Sequence, residues 1–336
     1  MERDGLRRAE PAGRPRTVYV VLTHSDPSQV ERLIRAIRRS SPEAFVLVAH
    51  DGRREPAPSS SDDANVEVFE HGLATDWGSW ELVEATLLAF ARARSRFDPD
   101  LVCLLSGQDY PARPLVDWES EAMSAGGWIG AASPIEYVPR WGTRLGVGDD
   151  AMTRYSHRWF QTPAARRGLR AQGGVGRAWR RLRDAMALRL EPWCSVRVVA
   201  RGRGVFYGIR RARSPFSTKR PCYRGSQWVA LRRPELDRLL DVDLAPGSRL
   251  RRLYERSIIP DESALVTPLS WRRPPAPLAA VTHLEWDPAL DQPAVCTLDH
   301  LQAIMESGSP FCRKVEPGAS GPLMDRLDRI AAPPST

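Results

Sequence analysis

The chain lacks the features that mark membrane-spanning and disulfide-rich proteins. None of its apolar runs reaches the roughly 18 residues that a helix needs to cross a bilayer. Its five cysteines are scattered and odd in number, and none belongs to a C-x-x-C pair. This distribution argues against both a zinc knuckle and a disulfide framework.

An apolar signal segment is also missing from the start of the sequence. Residues 1–16 are rich in arginine, proline and charge, so they do not resemble a secretory signal, and we predict a disordered lead-in there. A cytoplasmic location is favoured. Arginine-rich surfaces would also allow peripheral contact with a membrane.

Charge, in contrast, is plentiful and unbalanced. The 336 residues include 49 basic and 41 acidic ones, which gives a formal net charge of +8, mostly from arginine. Such an excess suits a nucleic acid, an anionic membrane or an anionic small substrate, but a GC-rich coding bias would produce it equally well. The most basic part, residues 140–220, predicts a partly flexible insertion. It contains no recognised nucleic-acid-binding module, so no nucleic-acid partner is expected.

Strand and helix patterns alternate near the start of the chain. "TVYVVLTH" (17–24) predicts a strand that ends in a polar residue, and "AFVLVAHDG" (44–52) predicts a second one. Between them, Asp26 and Pro27 are typical of the cap and first position of a helix with an apolar face. A β-α-β unit of this length is typical of the opening of a Rossmann-like sheet.

The same pattern continues to a fourth strand with an unusual end. A strand at 65–70 and a helix that begins near Gly78 and Ser79 precede the apolar strand 101–105, which runs into "SGQDYP". Glycine and proline there are typical of a plain turn, but open α/β sheets also bind ligands at the carboxyl ends of their strands. We predict an α/β domain over 17–317 with a Rossmann-like mixed sheet flanked by helices. A C-terminal helix and tail over 318–336 follow it.

Six segments resemble, in order, those of the core-2/I-branching β-1,6-N-acetylglucosaminyltransferase and peptide O-xylosyltransferase family (glycosyltransferase family 14). They are "VVLTHSDPSQVERLIRAI", "DWGSWELVEATLLAF", "LLSGQDYPARPL", "GSQWVALRRPELDRLL", "PDESALV" and "FCRKVEP". The resemblance covers about 17–317 and is weakest between 140 and 200. It implies a bacterial-type member with a GT-A fold, which transfers a sugar from a UDP-sugar to a hydroxyl group with inversion.

Inversion requires a base on the acceptor hydroxyl and positive charge at the leaving diphosphate. Glu262, in Pro-Asp-Glu, resembles the family's catalytic glutamate, although an acidic residue there could simply favour the first turn of a helix. Lys314 corresponds to the diphosphate-contacting lysine, with Arg313 as its support, although the two could be a solvated pair. A further arginine of the animal enzymes is missing from "DQPAVCTLDHL" (291–301).

The resemblance also assigns residues to the two sugars. The residues expected on the donor side are His24, Trp77, Gly78 and Asp109. The residues expected on the acceptor side are Gln227, Trp228 and Trp286, which offer an amide and two aromatic faces. Trp228 could instead be a core residue at the start of a strand, and His24 could be an ordinary polar strand end.

No metal or other cofactor is expected. Most GT-A enzymes hold a divalent ion with Asp-x-Asp at a strand end, but Asp98-Pro99-Asp100 precedes its strand and Asp241-Val242-Asp243 follows a helix. The expected donor is UDP-N-acetylglucosamine, followed by UDP-xylose, and the expected acceptor is a glycan or a lipid-linked or cell-envelope molecule. A catalytically silent carbohydrate-binding relative is the first alternative, and a basic nucleic-acid-binding protein is a second, less favoured one.

Overall fold

The computed structural model describes residues 14–59, 63–142, 144–162, 165, 182, 185–186, 189–199, 203–272, 279–287 and 292–332. The predicted lead-in therefore lies outside the described residues up to position 13. Most of 163–188, within the predicted insertion, and the last four residues of the predicted tail lie outside them as well.

The strands in chain order are β1 (Thr17–Thr23), β2 (Phe45–His50), β3 (Val66–Glu70), β4 (Leu101–Ser106), β5 (Asp109–Pro111), β6 (Ala132–Ile135), β7 (Tyr137–Val138), β8 (Val147–Gly148), β9 (His157–Phe160), β10 (Cys194–Val199), β11 (Gly204–Arg210), β12 (Cys222–Gly225), β13 (Ala230–Arg232), β14 (Thr282–Leu284), β15 (Trp286–Asp287), β16 (Gln292–Pro293) and β17 (Phe311–Arg313).

The helices are α1 (Pro27–Ser40), α2 (Trp80–Phe97), α3 (Leu115–Ser124), α4 (Thr153–Ser156), α5 (Arg233–Arg238), α6 (Arg249–Tyr254), α7 (Val266–Arg272), α8 (Leu301–Glu306) and α9 (Gly321–Ile330). Short 3-10 turns cover Asp150–Met152, Pro260–Glu262 and Leu298–His300, and a π-helical turn covers Leu239–Asp243.

A five-stranded sheet with the order β13-β4-β1-β2-β3 forms the centre of the fold. Strands β1 to β4 pair in parallel, and β13 adds an antiparallel edge, so the sheet is mixed. Strands β1 and β4 are buried along their whole lengths, as expected for parallel strands that are covered on both faces. The predicted α/β class is confirmed.

The strand order reverses direction at β1. The chain moves outward through β2 and β3 and then crosses back to place β4 on the other side of β1. Because such crossovers are right-handed, α1 and α2 lie on opposite faces of the sheet, and α2 packs against β1 and β2. This reversal leaves a crevice at the carboxyl ends of β1 and β4, where ligands bind in open α/β folds.

A second sheet, with the order β14-β17-β5, lies directly beyond this crevice. Strand β17 runs antiparallel to β5, and the register places Arg313 opposite Asp109. The C-terminal part of the chain thereby returns to the end of β4. Arg313 and Asp109 are therefore neighbours in the fold although they are about two hundred positions apart in the sequence.

The described part of the predicted basic insertion, 140–220, contains three strands that pair with one another. Strands β9, β11 and β10 form a sheet, and Trp159 donates its backbone N–H to Arg256 at 2.9 Å. Strand β12 pairs with β6, so the segment is anchored at both its ends.

Several local predictions are confirmed, and two are corrected. Asp26 caps α1 by accepting the N–H of Gln29, and Pro27 begins the helix. Glu262 lies in a separate 3-10 turn and not in the first turn of α7, and Trp228 lies between β12 and β13 and does not begin a strand. Within the described residues, no helix is long and apolar enough to cross a membrane.

Candidate active site

A cavity of about 1480 Å³ opens at the carboxyl edge of the central sheet. Each parallel strand supplies lining residues from the positions that follow it: His24 after β1, Asp51 after β2, His71 after β3, and Gln108 after β4. Pockets for single small molecules usually measure about 300–1,000 Å³. The cavity is therefore large enough for two substrates side by side.

Seven of the ten residues predicted from the sequence line this cavity: His24, Trp77, Gln227, Trp228, Glu262, Trp286 and Arg313. They come from segments that are distant in the chain, and the fold brings them together at one edge of the sheet. The other three, Gly78, Asp109 and Lys314, lie elsewhere.

Glu262 is held by two arginines at one wall of the cavity. Its Oε2 accepts hydrogen bonds from Arg154 Nη1 and from Arg224 Nε, both at 2.8 Å. Charge-assisted hydrogen bonds of this kind fix a side chain firmly. Among the described residues, these two arginines are the hydrogen-bond partners of Glu262, and both use Oε2. The carboxylate is thereby oriented, and Oε1 is left for another partner.

The cluster around Glu262 extends to a second carboxylate. Arg224 Nη1 lies 3.6 Å from Asp149 Oδ2. Burial alone would lower the pKa of Arg224, but the attraction of Glu262 and Asp149 outweighs this, so its pKa is raised. Neither Arg154 nor Arg224 belongs to a segment that resembles the glycosyltransferase family. Sequence reasoning therefore missed both.

Arg313 projects into the cavity over the face of an aromatic ring. Its guanidinium carbon lies 4.8 Å from the ring centre of Trp228, a typical cation–π distance. Arg313 Nη1 also donates to Ser106 Oγ at 3.0 Å. The side chain is mostly buried, with 21% of its surface exposed, so its charge is held in a fixed position at the end of β4.

Asp109 does not face the cavity, which corrects the prediction that it would contact a sugar. Its side chain is fully buried, and Oδ2 accepts the N–H and the hydroxyl of Ser106 at 2.6 and 2.5 Å. Oδ1 accepts the hydroxyl of Thr282 at 2.6 Å, and Arg313 Nη1 lies 3.9 Å from Oδ2. The carboxylate therefore organises Ser106 and Arg313, and these two residues reach the cavity in its place.

Lys314, which was predicted to contact the diphosphate, is not among the residues that line the cavity. Its Nζ pairs with Glu316 Oε1 at 3.1 Å. Arg313 is the last residue of β17 and lines the cavity, whereas Lys314 follows the strand and pairs with Glu316, which does line the cavity. Arg313, which was predicted only to support Lys314, is the residue of the two that lines the cavity.

Gly78 has a structural role next to the cavity. Its φ of +66° lies in the left-handed region, which favours glycine. Its carbonyl accepts the N–H of Ile259 at 3.1 Å, and a β-carbon would lie 3.0 Å from the Ile259 side chain. This close approach positions the turn Pro260–Glu262 against the start of α2. Gly78 is absent from the cavity lining, and its assignment to the donor side stays a prediction.

A second polar network lines the same cavity. Arg53 makes hydrogen bonds to both oxygens of Asp51, and Thr75 donates its hydroxyl to the same carboxylate at 2.7 Å. Burial alone would raise the pKa of Asp51, but the bonds from Arg53 and Thr75 hold it well below its usual range. Asp76 joins Arg53 to Arg203, at 3.2 and 3.4 Å.

Two histidines lie at the same edge. Burial, followed by the charge of Arg54, lowers the pKa of His24, and burial lowers the pKa of His71 against the opposing pull of Asp51. Both rings are therefore neutral at pH 7. Sequence reasoning left His71 and Asp51 without a role, although His71 follows the predicted strand 65–70 and Asp51 lies at the end of the predicted strand 44–52. The carboxyl ends of parallel strands meet at one edge.

The two Asp-x-Asp sequences do not line the cavity. Asp98 ends α2 and pairs with Arg233, and Asp100 accepts the N–H of Arg16 at the opposite end of β4. Asp241 and Asp243 pair with arginines as well. Within the described residues, no group of three or more His, Cys, Asp or Glu side chains is arranged to hold a metal ion.

No protein-family model matches the sequence of this chain, and no curated protein matches it significantly.

Proposed function

We propose that the protein is an inverting glycosyltransferase with a GT-A-like fold that uses a UDP-sugar without a metal ion. The donor we propose first is UDP-N-acetylglucosamine, and UDP-xylose second. The acceptor is a hydroxyl group of a glycan or of a lipid-linked or cell-envelope molecule. The observation that carries this proposal is the convergence of Glu262, Arg313 and the aromatic residues in one cavity at the reversal point of the sheet.

In this reaction Glu262 acts as the general base. The acceptor hydroxyl attacks the anomeric carbon of the donor while its proton passes to Glu262, and the bond from that carbon to the diphosphate oxygen breaks. The electron pair leaves with UDP. The two arginines on Oε2 support this role because they fix the carboxylate with its other oxygen available to the acceptor.

Arg313 stabilises the charge that gathers on the leaving diphosphate. A cation that is already fixed when the bond breaks needs no reorganisation, and it acts more strongly in a cavity than in water. Its bonds to Ser106 and its position over Trp228 provide that fixation. Trp286, which is 54% exposed at the rim, offers an aromatic face to the acceptor sugar.

A catalytically silent carbohydrate-binding protein is the second candidate. The observation in its favour is that Glu262 already has two arginine partners, as a purely structural carboxylate would. Release of UDP from a UDP-sugar in the presence of acceptor glycans separates the two candidates, because a binding protein releases none.

Titration with UDP tests the donor site directly. A ligand that binds only the folded state stabilises it by about 2.7 kcal/mol at a hundred times its Kd, so we expect Tm to rise by about 5 °C. The rise should be the same with EDTA as with Mn²⁺, and UDP-N-acetylglucosamine should bind more tightly than UDP-xylose. A shift that needs Mn²⁺ would contradict the metal-free site, and no shift would contradict the donor assignment.

Arg313 and Lys314 form a matched pair for a second test. Because a hydrogen bond to a charged group contributes about 1.5–3 kcal/mol, Arg313→Gln should weaken UDP binding about 10-fold to 100-fold. Lys314→Gln removes the same charge outside the cavity and should change Kd by less than about two-fold. Isothermal titration calorimetry measures both. The reverse ranking would restore Lys314 as the principal diphosphate ligand.

A further inference from the structure

Strands β7 and β8, the loop between them and the nearby Trp193 expose large apolar side chains. We call Val138, Trp141, Leu145, Val147 and Trp193 the hairpin patch. Their exposed fractions are 68%, 56%, 85%, 70% and 61%. Single exposed apolar residues are ordinary, but a group that includes two tryptophans and a leucine marks an interaction surface.

The hairpin patch is held in this arrangement by bonds on its inner side. Strands β7 and β8 pair Val138 with Val147, and the rings of Trp141 and Trp193 meet edge to face at 6.5 Å. Beneath them, the buried carboxylate of Glu191 accepts bonds from Tyr137 and Arg140 at 3.1 and 2.6 Å. The apolar side chains therefore face outward from an ordered base.

A second apolar row adjoins the hairpin patch. Residues 182, 186 and 190 are helical, and their side chains (Leu182, Met186 and Leu190) are about half exposed. Trp193 donates its N–H to the carbonyl of Leu190 at 2.8 Å, which connects the row to the hairpin patch.

The charge of the same stretch is concentrated and positive. Residues 137–211 contain 17 arginines and four acidic residues, a net charge of +13 in a chain whose total is +8. The rest of the chain therefore carries a net charge of −5. Among the described residues, this basic segment also carries most of the exposed large apolar side chains.

We propose that the hairpin patch docks on an anionic lipid surface. Tryptophan and leucine enter the boundary between headgroups and acyl chains, while neighbouring arginines reach lipid phosphates, and neither contribution alone gives stable attachment. A nucleic acid would use the arginines but would leave Leu145 and the two valines without a partner. The cores of protein interfaces are depleted in charge, so a protein partner would leave many of the arginines unused.

Docking in this way would also place the cavity close to the bilayer. Asp149 directly follows β8 of the hairpin patch, and its Oδ2 lies 3.6 Å from Nη1 of Arg224, which lines the cavity. The membrane inference goes beyond the proposed glycosyltransferase activity and stands without it. If both hold, acceptors carried by lipids would reach Glu262 without leaving the membrane.

Co-sedimentation with vesicles tests the inference. The 336-residue protein should bind vesicles of phosphatidylcholine with 30% phosphatidylglycerol (about one third anionic lipid) and should bind poorly to phosphatidylcholine alone. Its affinity for the anionic vesicles should fall as salt is added. The double variant Leu145→Ser, Trp193→Ser should lower vesicle affinity about ten-fold or more. Arg144→Glu should lower it about five-fold or more, since each basic residue near an anionic surface contributes to that extent.

Matched changes outside the basic segment serve as controls. Leu298 and Met305 are also exposed, so Leu298→Ser, Met305→Ser should leave binding unchanged, as should Arg326→Glu on α9. Absence of binding to anionic vesicles, or equal effects of the patch and control variants, would overturn the proposal. So would a patch variant that dissociates an oligomer, or that loses affinity for DNA, while its vesicle binding is unchanged. UDP affinity, measured in parallel, reports separately on the proposed function.

Discussion

Replacing Glu262 with glutamine should abolish most of the sugar transfer while leaving the donor site intact. General base catalysis contributes about 10²-fold to 10⁴-fold, and we expect a loss of that size in kcat for UDP release with acceptor. Glutamine has the same shape, and its amide oxygen can still accept the bonds from Arg154 and Arg224. The amide nitrogen that replaces Oε1 cannot accept a proton from the hydroxyl.

The control for this experiment is another carboxylate of the same cavity. Glu81 lines the cavity from the first turn of α2, so Glu81→Gln makes the same chemical change in the same space. It should leave kcat within about three-fold, and both variants should bind UDP as the wild type does. An unchanged rate for Glu262→Gln would place the base elsewhere. Loss of UDP binding together with the rate would mean that Glu262 acts by holding its arginines.

The central sheet could be predicted from the sequence because its signals are local. The apolar runs of β1, β2 and β4, the cap at Asp26 and the proline after it lie within a few residues of the elements they define. Local patterns also predict which end of each strand binds ligands, because parallel strands share one edge. His24 and Gln108 lie at that edge as a result.

The parts of the site that could not be predicted depend on distant contacts. The burial of Asp109 results from the pairing of β5 with β17 and from the hydroxyl of Thr282, which is 173 positions away. Arg154 and Arg224 reach Glu262 from a segment without a recognisable pattern. The placement of Arg313 in the cavity lining and of Lys314 outside it also lacks a local signal, because Lys314 follows β17. The resemblance to the glycosyltransferase family gave Lys314 the diphosphate contact and Arg313 the supporting role.

Asp109→Asn should have the largest effect on stability among the changes considered. The buried carboxylate accepts three hydrogen bonds, and an amide group can accept on only one of its two sides. An unpaired buried donor costs about 1–3 kcal/mol, and at least one is left, so the free energy of unfolding should fall by about 1–3 kcal/mol or more. Urea denaturation measures this fall, and Asp299→Asn, at an exposed carboxylate, should change it by less than about 0.5 kcal/mol.

The effect on UDP binding distinguishes an organising carboxylate from one that touches sugar. Ser106 links Asp109 to Arg313, so Ser106→Ala should weaken UDP binding, whereas Thr282→Val, on the other oxygen of Asp109, should lower stability and spare UDP. If Asp109 instead contacted a sugar directly, Asp109→Asn would keep its stability and its affinity for UDP alone, and only the sugar-dependent gain in affinity would disappear. Because the three hydrogen bonds use both carboxylate oxygens, we expect the result for an organising carboxylate, in which Asp109→Asn lowers stability.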